Sequence, residues 1–112
     1  MLILIPACGI LPFMKEAELD HDGYIEVYAN LSAIQAYYEL RIESARQSGN
    51  QKRYESLKRI YDRELENYMM KKRLTLEDLV AFQHSNPDFV TSPVTKERIF
   101  LRAQEIINES KK

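Results

Sequence analysis

Residues 31–73 read LSAIQAYYELRIESARQSGNQKRYESLKRIYDRELENYMMKKR. Leu31, Ile34, Tyr38, Ile42 and Ala45 recur at steps of three and four, which puts them on one face of a helix. Glu39 and Glu43 fall on the opposite face. Ser32 and Gln35 have capping-box spacing and predict the start of this helix. Ser48-Gly49-Asn50 predicts its end, because Gly49 can take the left-handed conformation and Asn50 can cap the next helix.

A second helix is predicted over about 51–73. Tyr54, Leu57, Tyr61, Leu65 and Tyr68 make its apolar stripe, with Ile60 and Met69 on the flanks. Glu55 with Arg59 and Lys58 with Asp62 are opposite charges four apart on the solvated side. A short turn between two such helices predicts an antiparallel helical hairpin.

Outward from the hairpin, Leu74-Thr75 opens a third helix, with Thr75 as cap for the Asp78 N–H. Ser85-Asn86-Pro87 breaks it near His84, and residues 85–92 read as a loop. Ser92-Pro93 starts a last helix whose apolar face is Ile99, Phe100, Ala103, Ile106 and Ile107.

On the N-terminal side, residues 1–13 (MLILIPACGILPF) carry no charged side chain, and Pro6, Gly9 and Pro12 interrupt any helix. Leu2–Ile5 reads as a short buried strand. Tyr24–Tyr28 reads as a second, after the turn signal Asp22-Gly23. The expected fold is therefore mainly α. It is a single domain over 1–112, with an extended or β-ribbon segment (1–29), a helical hairpin (31–73) and two further helices (75–112).

Composition bounds the function classes. The chain has 112 residues, 45% hydrophobic and 29% charged, which suits one globular domain. Sixteen basic and 17 acidic residues give a formal net charge of -1, whereas domains built to hold nucleic acid are usually far more basic. Charge is unevenly spread: residues 1–30 carry five acids and one base, residues 51–73 eight bases and four acids. The one cysteine, Cys8, forbids an internal disulfide and fits a reducing compartment, so a cytoplasmic location is expected. The seven uncharged residues before Cys8 fall short of a secretory signal. No run approaches the ~20 apolar residues of a membrane span.

Candidate chemistry is sparse. Glu18, Asp20, Asp22, Gly23 and Ile25 match part of a calcium-binding loop, but the bidentate position falls on Ala29. His21-Asp22 has the adjacency seen in metal-dependent phosphohydrolases. His84 is the only other histidine and cannot complete such a site. No nucleophile elbow, phosphate loop or paired-cysteine motif occurs. The expectation is a non-enzymatic protein without a cofactor.

Two binding readings remain. The first is a small helical protein-binding module, an adaptor, inhibitor or regulatory factor that self-associates. Tyr37 and Leu40, off the main stripe, and Met69 and Met70, which adapt to varied surfaces, are its candidate contacts. The alternative is a helix-turn-helix-like DNA binder using 75–110, with Lys71, Lys72, Arg73, Lys96, Arg98 and Arg102 toward phosphate. The linker of about eight residues exceeds the 3–4-residue turn of that motif.

Overall fold

The computed structural model describes residues 19–110. Helix α1 (His21–Gln47) is followed by α2 (Gln51–Lys71), α3 (Leu76–Ser85), the single turn α4 (Pro87–Thr91) and α5 (Pro93–Ser110). The described residues contain no strand. The protein is mainly helical, as the hydrophobic periodicity predicts.

Helix α1 begins twelve residues earlier than the Ser32 capping box predicts. Asp20 is the N-cap, its Oδ1 accepting from the Gly23 N–H at 2.6 Å. Ser32 lies inside the helix. The strand expected over 24–28 is helical for the same reason. Tyr24, Val27, Tyr28 and Leu31 extend the three-and-four spacing backward, so burial on one helix face overrides β-propensity. The ribbon partner expected at 2–5 lies outside the described residues.

The predicted stop is present. Gly49 has φ +75°, and the Asn50 side chain accepts from the Arg53 N–H at 3.1 Å. Tyr38 meets Tyr61 at 5.8 Å between ring centroids. At the other end of α2, Leu74 is buried with Val27 and Leu79, and Tyr68 and Met69 pack against that cluster. Thr75 and Asp78 form the reciprocal capping box that starts α3.

The expected loop over 85–92 contains α4, because Pro87 is pre-set for a first helical turn after Asn86. Three helices, not two, therefore follow α2. The extra turn carries Phe89 onto α1, where it stacks on His21 at 4.0 Å. Tyr24 stacks on Phe82 at 4.7 Å, and Gln83 donates to the Tyr28 hydroxyl at 2.6 Å. These contacts pin α3 and α4 to the first two turns of α1.

Helix α5 then returns along α1. Arg98 pairs with Asp22 at 3.1 Å and Arg102 with Glu26 at 2.9 Å. Both partners advance by four residues, so α5 runs in the same direction as α1. Continuing this register brings Ser110 level with Ile34. Beyond that level α1 continues for 13 residues, about 20 Å, with α2 beside it. The molecule is elongated, 60 × 33 × 31 Å, with a multi-helix body and a two-helix arm.

Candidate functional site

The step from body to arm leaves a groove. Its floor is the face of α1 that α5 covers lower down and stops covering near Ile34. Ala33 is buried there, whereas Tyr37 and Leu40 are 53% and 77% exposed. Ile106 and Ile107 close one end, and Glu64 stands on the α2 side. The cavity is about 790 Å³, within the roughly 300–1,000 Å³ of ordinary binding pockets.

The groove has an ordered polar rim. The Arg41 guanidinium lies 3.9 Å from the Tyr37 ring centroid and donates to the Tyr37 carbonyl at 2.6 Å. This pairing holds the Tyr37 ring, which meets Tyr38 edge-on at 4.8 Å. Burial, helped by the charge of Glu64, pushes the Tyr38 hydroxyl pKa up.

Tyr37 and Leu40, singled out from sequence, both line this groove. Met69 and Met70 do not join them. Met69 packs on the Val27–Leu74–Leu79 core, and Met70 is exposed one position on. Sequence reasoning missed Ile106 and Ile107 as lining residues, since it placed them on α5 without knowing which way α5 runs. The available signal was the matched spacing of Asp22 and Glu26 with Arg98 and Arg102.

The basic residues of the nucleic-acid reading are scattered. Lys71 ends α2, Lys72 is its C-cap and sits 5.9 Å from the Tyr68 ring centroid, and Arg73 is left-handed at φ +59°. Lys96 is exposed on α5. Arg98 and Arg102 on the same helix are engaged by Asp22, Glu26 and Glu105. Helix α4 stands between α3 and the helix expected to read DNA.

The residues weighed for metal or acid–base chemistry have structural partners. Asp20 caps α1, Asp22 pairs with Arg98, and Glu26 pairs with Arg102. The Arg102 hydrogen bonds hold the Glu26 carboxyl below its ordinary pKa. His21 stacks on Phe89 and lies 3.4 Å from the Asn86 Oδ1, beside a cavity of about 490 Å³. His84 is exposed in the last turn of α3. Among the described residues no three His, Cys, Asp or Glu side chains converge, and no helix is long and apolar enough to cross a membrane.

The comparisons add no relative: no protein-family model, curated protein or solved structure matches the chain.

Proposed function

We propose that this protein is a non-enzymatic helical module that acts by binding another protein, as an adaptor, inhibitor or regulatory factor in the cytoplasm. In this reading the antiparallel hairpin of residues 31–73 is the scaffold, and the groove above Tyr37 and Leu40 is the docking surface. One observation carries it: two large apolar side chains, 53% and 77% exposed, line a concave surface at the point where a covering helix ends. Concave apolar surfaces with a few fixed polar groups are where ligands and partner segments dock.

Self-association belongs to the same reading and has its own surface. Phe100 and Leu101 on α5 are 61% and 51% exposed. Adjacent exposed apolar side chains of this size favour contact with a second molecule.

The test compares capture of host proteins by the wild type and by Leu40→Asp. A partner held by the wild type and lost by the variant, with helicity unchanged, supports the reading. Identical capture by both proteins sinks it. Light scattering of Phe100→Ser, against a larger wild-type species, tests self-association separately.

A further inference from the structure

Helix α5 carries apolar side chains on two sides. One side packs on α1 and α4 and includes the buried Ala103. The other holds Glu97, Phe100, Leu101 and Gln104, all exposed and spaced three, one and three residues apart. That spacing puts the four on one face, in the pattern with which one helix seats on another. A surface helix keeps its outer face polar, so the exposed Phe100 and Leu101 mark this face for a cover.

The face reads alike in both directions. Counted outward from the midpoint between Phe100 and Leu101, a large apolar side chain comes first on each side, and a polar one comes three residues beyond it. A two-fold axis through that midpoint lays α5 antiparallel on α5 of a second copy, with the apolar pairs in contact. Glu97 then stands level with Gln104 of the other copy, twice over. A carboxylate accepts and a primary amide donates, so each pair closes a charge-assisted hydrogen bond. Among the described residues neither side chain has another hydrogen-bond partner. A parallel two-fold pairing fails on the same residues, because it sets Glu97 beside Glu97 of the second copy.

We infer that α5 pairs antiparallel with α5 of a second copy, with Phe100 and Leu101 at the centre and Glu97 hydrogen-bonded to Gln104 of the other chain at each end. This rests on the self-association proposed above and gives it an axis and a direction. Pro93 comes level with Asn108 of the second copy, so the helices overlap along 93–108, about 24 Å. One helix pair of that length buries less than a standard interface, which makes the dimer weak and concentration-dependent.

Sedimentation equilibrium over a wide concentration range tests the pairing by exchanging its two polar residues. Gln104→Glu sets carboxylate against carboxylate at both ends and should weaken the dimer at least about tenfold. Adding Glu97→Gln restores each donor–acceptor pair with the roles exchanged, and should return the dimer to near wild-type strength. Within one chain the two positions lie seven residues apart, about 10 Å along the helix, so only a contact between copies gives this rescue. Both positions are exposed, and circular dichroism checks that helicity is unchanged. Gln104→Glu dimerising as well as the wild type, or a double variant no stronger than Gln104→Glu, overturns the inference. If Phe100→Ser still dissociates the wild-type dimer in that event, self-association stands and only this geometry falls. A wild type that stays monomeric at millimolar concentration overturns both.

Discussion

Arg102 grips Glu26 with two parallel hydrogen bonds, Nε to Oε1 at 2.9 Å and Nη2 to Oε2 at 3.1 Å. The same guanidinium donates from Nη1 to Glu105 at 3.0 Å, so a planar fork ties α5 to α1 and to its own next turn. Glu26 also accepts from the Asn30 amide at 3.2 Å. Its lowered folded-state pKa means that the unfolded chain takes up a proton first as pH falls. The stabilisation is present above the ordinary carboxylate pKa and disappears as pH drops through the folded-state value. Acid titration followed by circular dichroism should show Glu26→Gln losing part of this acid dependence. The neutral-pH cost is below about 1 kcal/mol, because the pair remains in contact with water. Arg102→Lys should behave like the Gln variant, since an ammonium cannot reproduce the fork.

Tyr68 gives the opposite sign at the alkaline end. Among the described residues its buried hydroxyl has no hydrogen bond of normal geometry, and the Asn30 amide beside it, which donates to the Glu26 backbone and carboxylate, only partly offsets the burial. Burial, with the Glu26 charge nearby, pushes the phenol up to about 12. A raised folded-state value favours the protonated native form. Stability is therefore full below the ordinary tyrosine pKa and is lost as pH rises toward 12. Tyr68→Phe should flatten this loss and leave neutral stability unchanged or raised by up to about 1 kcal/mol, because it deletes an unpaired polar atom. Denaturant titrations at neutral and alkaline pH measure both effects.

Two alanine substitutions locate the start of α1. Asp20→Ala removes the side chain that accepts from Gly23 and should cost about 1 kcal/mol. Ser32→Ala, inside the helix, should be neutral or slightly stabilising by a few tenths of a kcal/mol. The reverse order in denaturation midpoints would put the helix start at the capping box read from sequence.

The turn between α1 and α2 is tested at Gly49. Nothing lies within 4 Å of a Cβ built there, so an alanine meets no clash. The backbone at φ +75° still penalises it, by about 1–2 kcal/mol. Gly49→Asn should recover part of that loss, since asparagine tolerates the left-handed region.

Core and groove leucines should separate cleanly. Leu79 is 3% exposed within the core cluster, and Leu79→Ala should cost about 2–5 kcal/mol. Leu40 is 77% exposed, and Leu40→Ala should change stability by less than about 0.5 kcal/mol while weakening partner capture. A Leu40→Ala midpoint shift as large as that of Leu79→Ala would mean that Leu40 belongs to the core.

Local signals were legible where one residue does one job. Gly49, Asn50 and the Thr75–Asp78 pair sit where backbone chemistry requires them. Ser32 misled because capping spacing also arises by chance inside a long helix, and only tertiary burial of Tyr24 and Val27 tells the two apart. Tyr37 and Leu40 were visible as apolar residues off the main stripe. That they face Ile106 and Ile107 was not, because helix direction depends on contacts between residues 76 positions apart.

Those distant contacts also order events in time. The two-helix arm closes around a three-residue turn and forms from neighbours in the chain. The body closes only when Arg98 and Arg102 reach Asp22 and Glu26, 76 positions back. During synthesis the first half of α1 therefore waits, its apolar residues Tyr24 and Val27 until α3 emerges and its charged edge at Asp22 and Glu26 until α5 leaves the ribosome. Refolding should run in the same order, a fast helical phase followed by a slower docking of α5 that carries most of the loop-closure entropy.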